Sequence, residues 1–182
     1  MTRSFVLLIA CVTLFGSLIA QPMQIERVKA KFSKISFSYD KVSGIGYEKG
    51  CTRRDPSDVI KVGTTCYVYY TKVYGQAPGY WGTVWYATST DEGYTWKEQG
   101  EILGVGKKDM FDSQATFTPN ILVSNGKYYL YYTGVKPTPG NAKGEFENNS
   151  TTDITAIGVA ISDSPNGPFI RVSEEPILKA SV

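Results

Sequence analysis

The residues of this chain best placed for acid–base chemistry are Arg53-Arg54-Asp55-Pro56-Ser57-Asp58, which run into the strand-like Val59-Ile60-Lys61-Val62. They set one carboxylate beside two guanidiniums and directly before a proline. Proline disfavours helix for the residue ahead of it and cannot donate to a central sheet ladder, so Asp55 is expected at the mouth of a strand. There a rigid sheet can aim one acid into a pocket. Arg53 or Arg54 beside it would favour the ionised form that a general base requires. The same spacing also fits a loop cap in which Asp55 pairs with an arginine for structure alone.

Other chemistries are excluded by what the chain lacks. It contains no histidine, which removes Ser-His and Cys-His catalysis and any histidine metal site within these residues. Cys51 and Cys66 do not have zinc-site spacing, and Gly75, Gly79 and Gly82 do not have that of a phosphate loop. No cofactor and no metal ligand set is indicated. A net charge of +2 is too small to argue for nucleic acid or an anionic membrane surface as partner.

A second polar cluster lies in Phe111-Asp112-Ser113-Gln114-Ala115-Thr116-Phe117-Thr118-Pro119-Asn120. Asp112, Gln114 and Asn120 are candidates to hydrogen-bond a polar ligand, and each also fits a satisfied loop residue. Tyr80-Trp81 offers either an aromatic face for a ligand ring or a hydrophobic plug of its own glycine-rich loop.

The elements that must position these groups are β-strands, and they come twice. Residues 59–62, 66–71, 83–88 and 95–98 read as four strands separated by turn residues. Residues 119–123, 127–133, 156–162 and 169–172 repeat the order, with Pro56 matching Pro119, Tyr69-Tyr70-Thr71 matching Tyr131-Tyr132-Thr133, and Ala87 matching Ala160. Consecutive four-stranded antiparallel units are the sequence form of β-propeller blades, favoured here over an antiparallel sandwich. The expected layout is blade one at about 55–100 and blade two at about 112–178, after an extension over 21–50. Within that extension Ile35-Ser36-Phe37-Ser38-Tyr39 alternates as a short strand would. Ser89-Thr90-Asp91-Glu92-Gly93-Tyr94-Thr95-Trp96 fits the Asp-box, a hairpin device in which Asp91 holds turn amides and Trp96 packs beneath.

The first twenty residues read as an export signal: Arg3, a nearly continuous apolar run over 5–20, then Gln21-Pro22. That run is short for a membrane span. Cleavage after Ala20 would give a secreted or periplasmic protein with no membrane segment. Leu8-Ile9-Ala10-Cys11 also fits a lipoprotein signal, but the apolar run continues well past Cys11. Cys51 and Cys66 would then sit in an oxidising compartment, either as a disulfide closing the Asp55 loop or as two buried thiols. Asn148-Asn149-Ser150-Thr151 holds two overlapping glycosylation sequons.

The Arg53 to Val62 segment, the 67–71 strand, Trp85-Tyr86-Ala87-Thr88-Ser89 with Trp96-Lys97-Glu98, and Phe117-Thr118-Pro119 with Gly126-Lys127-Tyr128-Tyr129-Leu130 together resemble five-bladed β-propeller glycoside hydrolases. Over residues 50–178 the chain is most similar to glycoside hydrolase family 117, the 3,6-anhydro-L-galactosidases acting on neoagaro-oligosaccharides, and next to family 43, the arabinosidases and xylosidases. The resemblance implies that Asp55 is the general base of an inverting attack on an oligosaccharide partner. Arg54, Trp81, Asp112, Gln114 and Asn120 are the candidate substrate contacts, Asp112, Gln114 and Asn120 because the repeat should turn them to the same pocket. It also implies that the second aspartate and the general acid come from later blades, so that this chain is about the first two. Asn120 departs from the acidic residue these families often place after the proline. A non-catalytic carbohydrate-binding or degenerate propeller module is the alternative.

Overall fold

The structure is a computed structural model that describes Ser36, residues 38–75, 81–141 and 153–180. The chain falls into two units, Met1–Tyr39 and Asp40–Val182. Of the first only Ser36, Ser38 and Tyr39 are described, and none of them is in a strand. Residues 1–20, which the sequence reads as an export signal, the sequons, Ile35, Phe37 and Tyr80 lie outside the described residues. Everything that follows concerns the second unit.

Among the described residues there are ten strands and no helix. Strands β1 (Cys51–Arg54), β2 (Ile60–Val62), β3 (Thr65–Tyr74), β4 (Thr83–Ser89) and β5 (Lys97–Leu103) form one antiparallel sheet. Strands β6 (Ala115–Ser124), β7 (Lys127–Pro137), β8 (Asp153–Ser162), β9 (Ile170–Arg171) and β10 (Leu178–Lys179) form the other. The two sheets are two propeller blades. Both β1 and β2 pair with β3, so the first strand of blade one is a single strand interrupted over residues 55–59. The strand order is the one read from the repeat. Blade one takes in the residues just ahead of Asp55, because Cys51-Thr52-Arg53-Arg54 pairs with Thr71-Lys72-Val73-Tyr74.

Local chemistry explains the hairpins. The β6–β7 turn is Asn125-Gly126, both at positive φ (49° and 73°), the two-residue geometry whose twist matches the flanking strands. At the β4–β5 turn, Asp91 Oδ1 accepts from the Ser89 hydroxyl at 2.7 Å and the Thr95 amide at 2.8 Å, while Trp96 is buried beneath. Those hydrogen bonds hold the Asp91 carboxyl below its ordinary range.

Strand β3 carries the core. Its residues 66–72 are all buried, so both faces of blade one are covered. One face packs on blade two through Tyr69, Val84, Leu130, Tyr132 and Phe169. The Tyr69 hydroxyl donates to the Pro165 carbonyl at 2.7 Å, and its ring meets Phe169 edge-on at 6.0 Å. Gly158 lets the stacked pair Phe111 and Tyr132 lie directly on the sheet, since a Cβ there would come within 2.6 Å of both rings.

The other face is closed by residues 43–48. The Ser43 amide donates to the Tyr94 carbonyl and the Trp96 amide to the Ser43 carbonyl, at 3.0 and 2.9 Å. Ile45 packs on the cluster of Cys66, Val68, Tyr70, Ala87 and Trp96. Beside it lies an ionic knot. Glu98 accepts from Arg53 Nε at 2.8 Å and the Tyr70 hydroxyl at 2.7 Å, and pairs with Lys72, whose ammonium lies 4.3 Å from the Trp85 ring. Glu48 closes the knot by pairing with Arg53.

This geometry decides between the two cysteine alternatives. Cys51 is opposite Tyr74 at one end of β3, and Cys66 lies near the other end of that strand. The intervening stretch spans about 26 Å at about 3.3 Å per residue. A disulfide needs Cα atoms within about 7 Å. The proposed bridge is therefore excluded, and both are free thiols. Burial raises the Cys51 thiol above its ordinary pKa.

The knot makes a pH-dependent contribution to stability. Burial opposes charge on Glu98, but hydrogen bonds from Arg53, Lys72 and Tyr70 outweigh it and bring its pKa from 4.5 to about 2. A lowered carboxylate stabilises the fold above its unfolded pKa, and that stability is lost as pH falls through the folded value. Urea unfolding followed between pH 6 and pH 2 is expected to show wild-type stability falling below about pH 4.5. Glu98→Gln should cost about 2–3 kcal/mol at neutral pH, less than breaking a wholly buried pair because the carboxylate keeps some solvent contact, and should flatten that decline.

Candidate active site

Asp55 follows the last residue of β1 and sits at φ 51°, a left-handed conformation in a non-glycine residue. Two hydrogen bonds hold the break open behind it. The Ser57 amide donates to the Tyr69 carbonyl at 2.7 Å, and the Tyr69 amide donates to Ser57 Oγ at 3.0 Å. The chain thus leaves β3 after Arg54, is tethered to Tyr69 by Ser57, and rejoins β3 at Ile60. A side chain held on such a break is placed by the sheet and not by a free loop.

The two arginines part ways. Arg53 turns to Glu98 and Glu48 in the knot. Arg54 turns to Asp55, with Nε 3.4 Å from Oδ2, and its side chain and that of Asp55 are 29% and 35% exposed. The Arg54 guanidinium also lies over the Phe117 ring, 5.9 Å from its centroid, and Nη2 donates to the Trp81 carbonyl at 3.4 Å. A half-exposed pair of this kind contributes little to stability, about 0–1 kcal/mol. Its value is positional: the pair places a partly solvated carboxylate beside a fixed cation.

Blade two reproduces the device. Between Phe117, opposite Thr133, and Asn120, opposite Tyr131, the β6–β7 register shifts by one residue. Thr118 stands there at φ 45° before Pro119, as Asp55 stands at φ 51° before Pro56. The Thr118 amide donates across the blades to Thr71 Oγ1 at 2.9 Å, and the Thr116 amide donates to the Gly82 carbonyl at 3.1 Å. Thr71 is itself the cross-strand partner of Arg54. Arg54, Asp55, Trp81, Phe117 and Thr118 therefore form one cluster at the seam between the blades.

The remaining candidates are placed differently. Asp112 is fully buried and belongs to the interior of blade two, where its Oδ2 accepts from Arg171 Nε at 2.7 Å and the Tyr132 hydroxyl at 2.9 Å. This corrects the expectation that it contacts a ligand: its two charged and polar neighbours make it a strut. Gln114 is half-buried, and its backbone amide donates to the Val135 carbonyl at 2.8 Å. Asn120 is exposed on the far face of blade two beside Tyr131. Phe117, Thr118, Thr71 and Ser57 belong to the site without having been singled out. The proline match already set Thr118 opposite Asp55, and this was the available signal for it.

Two propeller blades with a carboxylate on the broken first strand define a glycosidase-type β-propeller segment. The sequence profile of glycosyl hydrolases family 43 matches residues 51–178, and the chain belongs to that family. Among solved structures, it is similar to Zg3597, a family 117 glycoside hydrolase from the marine bacterium Zobellia galactanivorans, at 32% identity and TM-score 0.60, over 75% of this chain and 43% of that one. A complex of BT0996 with RGII (15% identity, TM-score 0.63, 84% of this chain and 45% of that one) shares the fold. So does a further glycoside hydrolase (14% identity, TM-score 0.63, 85% of this chain and 46% of that one). The chain thus spans less than half the length of each. No curated protein sequence matches it.

The seam hydrogen bond can be tested directly. Thr71→Val keeps the shape of a fully buried side chain but leaves the Thr118 amide without its acceptor. It is expected to lower unfolding free energy by about 1–2 kcal/mol in urea titrations, while Thr71→Ser restores most of the loss.

Proposed function

We propose that this chain is the base-carrying part of an exo-acting, inverting glycoside hydrolase for plant- or algal-derived oligosaccharides, with Asp55 as the general base. The observation that carries this reading is Asp55 itself: a half-exposed carboxylate on the broken first strand of a family 43 fold, with Arg54 at 3.4 Å. In the reaction the Asp55 carboxylate takes a proton from water as the water oxygen bonds to the anomeric carbon. The bond to the glycosidic oxygen breaks on the opposite face, and that oxygen takes a proton from a second acid. In inverting enzymes the two carboxyls stand roughly 6.5–9.5 Å apart across the sugar. Asp112 cannot serve as that acid, being sealed in its pair with Arg171. We assign the acid to a part of the ring outside these two blades, and the protein to the outside of the cell through residues 1–20.

The likeness to Zg3597 supports family 117 substrates, such as neoagarobiose, over the arabinosides and xylosides of family 43. A non-catalytic sugar-binding module is the second reading, favoured by the burial of Asp112. Leaving-group chemistry separates the two. A glycoside whose leaving group needs no protonation, such as a 2,4-dinitrophenyl 3,6-anhydro-α-L-galactoside, still requires the base but not the acid. The chain is expected to release dinitrophenol slowly and Asp55→Asn to lose that activity by about 10²-fold or more, whereas neoagarobiose stays intact with both. Release that Asp55→Asn leaves unchanged would assign the chain to the binding-module reading. Turnover of neoagarobiose, abolished by Asp55→Asn, would show that the acid is already present.

A further inference from the structure

The chain contains two Asn-Gly pairs, Asn125-Gly126 and Asn166-Gly167, and both stand at turns of blade two. An asparagine followed by glycine is chemically labile. The glycine nitrogen attacks the side-chain amide carbon of the asparagine, and a residue without Cβ leaves that approach open. In a folded chain two further conditions apply. The glycine amide must not be held in a hydrogen bond, and the turn must open locally to bring nitrogen and carbon together. The two pairs differ in both respects.

At the second pair the Gly167 amide donates to the Ser164 carbonyl at 3.0 Å, and the Asn166 amide donates to Ser164 Oγ at 3.2 Å. On one side of the pair the Pro165 carbonyl accepts from the Tyr69 hydroxyl, and on the other Phe169 is buried in the core between the blades. Opening this turn would pull on the contact that joins the two sheets. The first pair has no such hold. Asn125 and Gly126 are both exposed and form by themselves the turn between the paired residues Ser124 and Lys127. Among the described residues the Gly126 amide has no backbone acceptor. A hairpin tip of this kind opens without loss of core contacts.

We propose that Asn125 is a site of spontaneous covalent modification, deamidating through a cyclic imide, while the fold protects Asn166. The Gly126 nitrogen bonds to Asn125 Cγ and gives up its proton, and the side-chain nitrogen leaves as ammonia. Solvent water then adds to one of the two imide carbonyls. Opening at one gives aspartate. Opening at the other gives isoaspartate, in which the main chain runs through the side-chain carbon. Either product sets a new carboxylate two residues from Lys127, whose ammonium is paired with Asp163 at 2.6 Å. Isoaspartate also adds a methylene to the turn that sets the register of β6 on β7. Because β6 carries Phe117 and Thr118, the modification falls on the strand that supports Arg54 at the seam. The inference is independent of the catalytic reading and would stand if Asp55 proved inert.

Peptide mapping of the intact chain tests it. The chain is incubated at neutral pH and sampled over time, and chromatography with mass spectrometry separates asparagine, aspartate and isoaspartate at both positions. A parallel incubation in urea releases both turns. In the native chain position 125 is expected to convert at least about tenfold faster than position 166, the difference reflecting the hydrogen bonds that must break at the second turn. In urea the two rates should come to within about twofold of each other, since each pair is then an exposed Asn-Gly in an open chain. Circular dichroism confirms that the native sample stays folded throughout. A native ratio of the two rates no larger than the ratio in urea overturns the proposal. So does a native chain in which position 125 stays intact while the chain in urea converts.

Discussion

The break in the first strand of each blade is the constraint on which the site depends. An L-residue at positive φ ahead of a proline is costly to hold, by about 1–3 kcal/mol, and persists only where its surroundings over-determine it. Here they do. Ser57 stitches the blade-one break to Tyr69, and Thr71 receives the amide of the residue at the blade-two break. Tyr69 is at once the anchor of the first break and the central side chain of the inter-blade core. The packing that joins the blades therefore also fixes the direction of Asp55.

The division of labour between adjacent arginines follows from the pleat. Neighbouring residues on a strand point to opposite faces, so Arg53 and Arg54 cannot serve the same partner. Arg53 takes the closed outward face and is committed there by two carboxylates. Arg54 takes the seam, where Phe117 supports its guanidinium and Asp55 is its counter-ion. Exchanging the two roles would need a one-residue register slip, which the Arg53–Lys72 and Arg54–Thr71 pairing opposes. The ionic knot thus does more than join strands: it selects which arginine reaches the seam.

Most of the fold was legible because its signals are local. The paired tyrosine-rich strands, the Asn125-Gly126 turn and the Ser89 to Trp96 hairpin each carry their geometry in a few consecutive residues. Asp55 could be placed at a strand mouth because Pro56 constrains the residue before it. What could not be read was long-range. Asp112 has the look of an exposed loop acid, and its burial depends on Arg171, 59 residues later. The distance between Cys51 and Cys66 is set by the length of β3 and the pairing of β1 with its far end, neither of which is visible in their spacing. Lys72 in a run of aromatics gave no hint that Glu98 and Trp85 would receive its charge.

The contrast between Asp55 and Asp112 shows how one fold sorts two carboxylates. Both lie next to a blade's first strand, and both have an arginine. Asp112 also has the Tyr132 hydroxyl and no solvent, so its pair with Arg171 serves packing. Asp55 has a weaker pair at 3.4 Å and open solvent on one side. A carboxylate that must take a proton from water needs a lone pair facing outward, which a tight, buried pair would consume. The looseness of the Arg54–Asp55 contact is therefore an argument for chemistry at this position: a blade that needed only an ion pair here already shows, at Asp112, how it builds one.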